Sequence, residues 1–392
     1  MRQEVLAQLV GKMLRAFPTG TAPVPSSFRV QHLLDACTLS QGTAVVEQLA
    51  NVVGLLASGN VPTELAAYIG CAKLLASPKK CGGLWPIAVG EALRRLTAKC
   101  LCQAVKESTQ QYLWPVEVGC GTKLGAETAI HTVRQWMGRN SGNQKELLNI
   151  DFKNAFSCVS QPSFFRQVQE HFPALSRWTQ WCYGSHAHLV FGEHILSSQT
   201  GVQQGDPLGP LLFCLALHPI ACKLAGLGKN GNQGRALDLC NFYLDNGLLA
   251  GSVEAVAEAL ALLQAECASI GLTLQLSKSE LVMPTNTEPS NLNNHFPHNL
   301  LWDDEKNKSR VLCQNFDYLG AAIGKATFCE SWTTETVNKA QALLDALSEL
   351  DDPQVGLRLM HHCAGFSKLV YSMRTTPAAL QEFALLRYVT TT

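Results

Sequence analysis

Two aspartates stand where short apolar runs end. Glu146-Leu-Leu-Asn-Ile-Asp151-Phe reads as a buried strand with a carboxylate at its tip, and Asp245 lies between the apolar runs Leu239–Leu244 and Leu248–Ala250. Asn246-Gly247 between apolar runs is a hairpin signal, because a tight turn needs residues that tolerate positive φ. The hairpin is expected to turn at Asp245-Asn246-Gly247 and to lift Asp245 to its tip, with Tyr243 one strand period behind on the same face. Two carboxylates at strand ends, far apart in sequence, are what two-metal phosphoryl transfer requires. Such a site holds two Mg²⁺ about 3.5–4 Å apart, one activating the attacking oxygen and the other stabilising the leaving one. Mg²⁺ favours carboxylates, waters and substrate phosphates over an all-protein cage. Asp151 and Asp245 can be bridging ligands, and the backbone carbonyl of Phe152 can add another. The ordinary alternative is an aspartate that caps its own turn.

The elements that must position these residues are legible in outline. Residues 1–60 read as helices around a proline-rich turn. Pro78–Gly83 is a turn cluster ahead of the apolar run Trp85–Val89, and Glu91–Leu101 has a helical period with Arg94, Arg95 and Lys99 near one face. Ala126–Trp136 and Pro162–Tyr183 read as helices, and Leu189–Leu196 as a strand or hairpin. GVQQGDPLGPLLF (201–213) is a glycine- and proline-punctuated loop entering a helix. Val253–Ile270 is an amphipathic helix, and the alternation in 271–283 predicts a strand. Residues 284–300, rich in Asn and Pro, read as a solvated insertion, DYLGAAIG (317–324) follows, and Thr333–Tyr371 is helical.

Composition describes a globular chain: of 392 residues, 46% are hydrophobic and 16% charged, which excludes disorder and collagen-like structure. The 31 basic residues balance the 31 acidic ones, so overall charge lends nothing to nucleic-acid binding. Between Ala72 and Lys106, however, seven basic residues face one acid, Glu91. The 15 cysteines show no C-x-x-C spacing, and no histidine pair at ligand spacing accompanies Cys100 and Cys102, which points to reduced thiols in an intracellular protein. No secretory h-region opens the chain, and the longest apolar run (208–227) is interrupted by Pro210, His218, Pro219 and Lys223, as in a buried helix and unlike a membrane span.

Taken in order, the basic turn, NIDFKNAF (149–156), GVQQGDPLGPLLF (201–213), YLDN (243–246), SKSEL (277–281) and YLGAAIG (318–324) resemble the successive motifs of reverse transcriptases. The resemblance is nearest to those of non-LTR (LINE-type) retrotransposons, and it runs from about Ala22 to about Arg374. It implies an α+β right-hand polymerase fold: an N-terminal helical extension and fingers (1–145), a palm with a small antiparallel sheet (146–325, including the insertion at 284–300) and a helical thumb (326–392). It implies RNA-directed DNA synthesis with two Mg²⁺, or Mn²⁺ in their place. An RNA template, a DNA primer and dNTPs would be the partners, in nucleus or cytoplasm and without a membrane.

Carried over residue by residue, the resemblance makes Asp151 and Asp245 the metal ligands, with Asn246 a weakened third. Asn154 and Ala155 would lie beside the incoming triphosphate. Phe156 would be the ring that excludes a 2′-hydroxyl, and Gln204 and Gly205 would pack under the template–nucleotide pair. Lys278 would protonate or neutralise pyrophosphate, and Tyr318, Leu319 and Gly320 would grip the primer. Lys79, Lys80, Arg94 and Arg95 would neutralise phosphates. The chain departs from the pattern at four motif regions. Asn246 stands where a second aspartate is usual, Trp85 where the Arg-Pro-Ile arginine is, Gln275 where an asparagine is, and Val24 and Ser27 where glycines are. These departures leave a second reading open, a catalytically silent nucleic-acid-binding remnant of such a polymerase.

Overall fold

The computed structural model describes residues 3–391 apart from 19, 22–25, 80–82, 185–186, 227–235 and 288–290. They divide into two compact units. One comprises Met1–Gly121, Phe152–Lys223 and Leu263–Leu274, and the other Thr122–Asp151, Leu224–Leu262 and Gln275–Thr392. Both mix helices with sheet, so the α+β class holds.

In the first unit, helices Gln3–Arg15, Val30–Thr38, Gly42–Ala57 and Ala92–Ala104 close around a core of Val10, Leu14, Val30, Leu49, Val53 and Leu96. A four-stranded sheet runs in the order Leu84–Gly90, Ala72–Pro78, Ala187–Phe191, His194–Ser198. The predicted turn cluster is the hairpin joining Ala72–Pro78 to Leu84–Gly90, with Leu75 opposite Ile87 and Ser77 opposite Trp85. The segment expected as a single helix over 162–183 is two, Gln161–His171 and Pro173–Tyr183. Pro173 has no N–H to continue the first helix and suits the first turn of the second. The apolar run after the 201–208 loop is the helix Gly209–Leu224, whose Leu211–Leu217 stretch is buried.

In the second unit, a five-stranded sheet runs Leu312–Cys313, Glu280–Met283, Glu146–Ile150, Asn246–Gly251, Leu239–Tyr243. Glu146–Ile150 is its centre, antiparallel to both neighbours, with Ile150 opposite Gly247 and Leu148 opposite Leu281. Leu147, Leu148 and Ile150 of this strand are buried, with half-buried Asn149 between them. Two expectations need correction. The predicted strand over 271–283 shrinks to Glu280–Met283, because 275–278 is taken up by a turn. The predicted solvated insertion is anchored in its described part: Leu292, Leu300 and Leu301 are buried on short helical turns and Phe296 in the bend between them. Beyond it, Ala326–Ser348 packs with Ser367–Thr375 and Glu382–Thr391 through Val337, Ala340, Leu369, Ala384 and Tyr388. The helix expected over 333–371 is broken around 349–352 and 365–366.

Candidate active site

Asp151 is the residue after the central strand, and Asp245 lies in the turn of the adjacent hairpin, both in the second unit. The hairpin forms as predicted, but its turn is Leu244-Asp245, closed by the Tyr243–Asn246 pair, with Leu244 at φ 57°. Asn246-Gly247 therefore belongs to the strand. Gly247 is reserved for packing: a Cβ there would meet the Phe242 ring at 2.6 Å and Ile150 Cβ at 3.4 Å. This close approach draws Gly247 into the sheet and sets the turn two residues earlier, with Asp245 in it. Burial raises the Asp245 pKa above its ordinary value; a hydrogen bond from its own backbone opposes the shift, and the charge of Asp151 adds to it. The two carboxylates thus sense each other, a repulsion that a divalent cation relieves.

Asp151 is fixed by its backbone. Its N–H donates to Ser279 Oγ (3.1 Å), and its carbonyl accepts from the Gln275 N–H (2.7 Å). Ser279 Oγ donates in turn to the Gln275 carbonyl (3.1 Å), and the Lys278 N–H closes the turn on the same oxygen (2.9 Å). Lys278 is exposed on this turn. Arg310 braces it from outside: its guanidinium donates to the carbonyls of Ser277 and Trp302 and pairs with the buried Asp303 at 3.1 Å. On the neighbouring strand Glu280 accepts from the Asn149 side chain (3.3 Å), and burial above all raises its pKa. In the sequence Gln275, Ser279 and Glu280 are legible only as motif positions and Asp303 and Arg310 not at all; that Gln275 and Ser279 anchor the Asp151 backbone while Arg310 and Asp303 brace their turn emerges from the fold.

The remaining second-unit residues divide. Leu319 and Gly320, at φ 50° and 76°, make the two-residue turn between Phe316–Tyr318 and Ala321–Ile323, held by Tyr371 Oη on the Leu319 carbonyl (2.6 Å) and by the Gly320 N–H on Asp317 (3.0 Å). Gly320 is exposed at this turn and Leu319 half-buried. Tyr318 is corrected: at 1% exposure it is a core side chain and not a nucleic-acid contact.

In the first unit, the 201–208 loop is locked by a buried ion pair. Arg94 Nη2 meets Asp206 Oδ2 at 2.9 Å, both side chains being 1% exposed. Asp206 also accepts from Tyr183 Oη (2.7 Å) and the Leu208 N–H (3.0 Å), while Arg94 and Gln203 both donate to the Gly70 carbonyl. Burial opposes the Arg94 charge, but Asp206, Cys182 and Tyr183 together hold the guanidinium above its ordinary pKa. Arg94 is therefore spent on architecture, which corrects its expected role on phosphate. Arg95 is nearly as buried and lies over the Phe17 ring (5.5 Å), with burial lowering its pKa and Glu91 opposing the shift.

The loop's tip remains accessible. Gln204 is half-buried, its carbonyl accepting the Ala88 N–H at 2.7 Å. Gly205 takes φ 129°, and a Cβ there would meet the Ala88 carbonyl oxygen at 2.3 Å, so no other residue fits. Half-buried Phe156 stacks on Phe213 (4.7 Å), Ala155 and Phe152 are buried, and Asn154 is exposed at φ 50° ahead of the short helix Ala155–Cys158. Lys79 is described and close to Trp85; Lys80 and Val24 lie outside the described residues.

A family model described as reverse transcriptase (RNA-dependent DNA polymerase) matches residues 87–323. The chain belongs to the reverse transcriptase family. Its fold is accordingly that of the right-hand polymerases, as the order of motifs implied. No curated protein sequence matches it. Among solved structures, this reverse transcriptase chain is similar to telomerase from Candida albicans in complex with a TWJ fragment of telomeric RNA, at 12% identity and TM-score 0.45, over 88% of this chain and 63% of that one. It is also similar to apo telomerase from Candida tropicalis truncated from its C-terminal domain, at 13% identity and TM-score 0.44, over 71% of this chain and 59% of that one. The chain thus spans less than two thirds of either telomerase.

The family uses divalent ions, and the donor set here suits them. Asp151 and Asp245 are oxygen donors of the kind divalent ions take. Among the described residues no group of three or more His, Cys, Asp or Glu is placed to hold a metal. Among them, too, no helix is long and apolar enough to cross a membrane, and the described cysteines are free thiols.

Proposed function

We propose that this chain is the polymerase domain of a LINE-type retroelement and copies RNA into DNA from a primer 3′-hydroxyl. Supporting this reading above all is the Asp151–Asp245 pair, two carboxylates on adjacent strands whose charges oppose each other. Bound Mg²⁺ would supply charge stabilisation for the attacking and leaving oxygens. Asp151 and Asp245 would hold it, with the Phe152 carbonyl as a further donor and the Asn246 amide in place of a second charge. Lys278 would deliver a proton or positive charge to departing pyrophosphate. Phe156 would exclude a 2′-hydroxyl and so select dNTPs, and Asn154, Ala155, Gln204 and Gly205 would shape the nucleotide's surroundings. Lys79 and Lys80 would meet phosphate, and the backbone at Leu319-Gly320 would steady the primer end. We assign the work to nucleus or cytoplasm, and the domains to fingers (1–145), palm (146–325) and thumb (326–392).

Asn246 and Trp85 favour a second reading, a silent nucleic-acid-binding descendant. Each replaces a charged group by a neutral one, at the metals and at the triphosphate respectively. Primer extension on primed RNA with dNTPs, in Mg²⁺ and in Mn²⁺, decides between the two. Extension by the chain itself that is lost in Asp151→Ala supports the enzyme. Extension only in the Trp85→Arg/Asn246→Asp variant supports the silent descendant, and none in any folded variant overturns the polymerase reading.

A further inference from the structure

A cavity of about 370 Å³ in the first unit is lined by none of the residues that the catalytic reading uses. Its volume is within the range of small-molecule sites. Its wall combines two thiols (Cys102, Cys120), two cations (Lys99, Lys106), the Gln103 amide and the Thr109 hydroxyl, and it carries no acid. Thr109 is 2% exposed, and its Oγ1 makes no hydrogen bond among the described residues. A buried hydroxyl without a partner is costly, so it marks a place where a ligand's polar group is stabilising. Lys106 is exposed at the rim, and half-buried Lys99 donates to the Ala16 carbonyl at 3.1 Å. The lysines favour a negatively charged ligand, and the thiols favour one that bonds to sulfur.

The thiols at this place are not equivalent. Cys102 donates to the Pro207 carbonyl (3.3 Å), and burial above all raises its pKa. Cys214 does not line the cavity; it is fully buried and hydrogen-bonded to both Cys120 and Glu117, and burial raises its pKa as well. The thiolate is the form that attacks a disulfide, so Cys102 and Cys214 are both held in the unreactive form. Cys120 is half-buried on the cavity wall.

We propose that Cys120 is a modification site for a small, negatively charged disulfide. The Cys120 sulfur, its proton given up to water, attacks one sulfur of that disulfide. A bond forms between these two sulfurs, the small molecule's own S–S bond breaks, and its other half leaves as a thiolate that takes up a proton. Cys120 is thereby oxidised, and the departing thiol is the reduced product. The retained half stays in the cavity, its charge beside Lys106 and a polar group on Thr109. Cys102 and Cys214, being protonated, do not displace it. The site needs neither Asp151 nor a nucleotide, so it stands apart from the catalytic reading.

The test treats the full chain with glutathione disulfide at neutral pH and follows each cysteine by peptide mass mapping. The treatment is repeated with cystamine, a disulfide whose charges are positive. Exposed Cys363 is the reference thiol. With glutathione disulfide, Cys120 is expected to be modified about tenfold faster than Cys363, the combined effect of one hydrogen bond and one charge pair. With cystamine that advantage should vanish. Thr109→Val, which keeps the shape, and Lys106→Gln should each slow Cys120 about threefold and leave Cys363 unchanged. Modification of Cys120 no faster than of Cys363, an equal advantage with cystamine, or no effect of either variant would each overturn the proposal. So would modification of Cys102 in its place, or loss of the small thiol to an internal Cys120–Cys214 disulfide. The Thr109 hydroxyl is unpartnered and Lys106 is exposed, so both variants should fold, and unchanged circular dichroism checks this.

Discussion

Asp206 and Asp245 are treated in opposite ways. Asp206 is buried with an arginine, a tyrosine hydroxyl and a backbone N–H all donating to it. Asp245 is partly buried beside another carboxylate, and its pKa is raised by that burial and by its neighbour. The first is a charge whose cost of burial is offset within the fold. The second is held where its charge is disfavoured until something positive arrives. A satisfied buried charge reads as architecture, and a dissatisfied one at a strand end reads as function.

The contrast breaks most sharply by mutation. Asp206→Ala leaves Arg94 charged and buried without its partner and is expected to cost about 3–5 kcal/mol, measured by urea unfolding. An Arg94→Met/Asp206→Leu pair should recover most of that loss. Asp245→Asn should leave stability unchanged or slightly raised, because it removes a charge the fold disfavours. Should Asp245→Asn destabilise as much as Asp206→Ala, the distinction fails.

Activity should show the reverse order. If the chain extends primers, Asp151→Ala and Asp245→Asn should each lower the rate on the order of a thousandfold, since metal-held charge stabilisation supplies several kcal/mol. Asp206 variants that remain folded should lose far less. Chelation by EDTA should imitate the Asp151 variant, and excess Mg²⁺ should restore the parent.

A third carboxylate sharpens the comparison. Glu146 begins the central strand, is fully buried, and has no hydrogen-bond partner at either oxygen. Burial, reinforced by Glu254, raises its pKa from 4.5 to about 8. Between those values the unfolded chain has lost the proton that the folded chain keeps. Stability should therefore fall as pH rises from about 4.5 towards 8, by on the order of a few kcal/mol, and level off above. Glu146→Gln keeps the shape without the titration and should flatten the profile, so that the variant is the more stable chain at pH 8. A parallel profile in the variant would remove Glu146 from the account.

What could be read from the sequence follows the range of the interactions involved. Strands and hairpins are signalled locally, and the motifs named both aspartates because apolar runs mark strand ends. The hairpin turn was misplaced by two residues because Gly247 answers to Phe242 and Ile150, the latter almost a hundred positions away. Arg94 looked like a surface cation because its partner lies 112 positions on. Tyr318 is expected at the primer because its motif resembles the family's, and a motif does not say which of its side chains the packing buries.

The smallest expected effect concerns Arg310, invisible in the sequence and distant from Asp151 and Asp245 along the chain. Its fork holds the Ser277 carbonyl while Asp303 holds the fork, and the turn so fixed carries Lys278 and both backbone bonds to Asp151. Arg310→Lys keeps the charge but not the fork, and a flexible ammonium cannot hold two carbonyls and a carboxylate in one plane. Extension should fall about tenfold in kcat with KM for dNTP little changed, a typical cost when a positioned group is loosened. Amide exchange should quicken at Gln275 and Lys278 but not at Leu148 or Leu249 in the same sheet. If exchange at Gln275 stays slow in Arg310→Lys, the turn holds itself and Arg310 serves only the Asp303 loop. If exchange quickens across the whole sheet, Arg310 belongs with Asp206 as architecture.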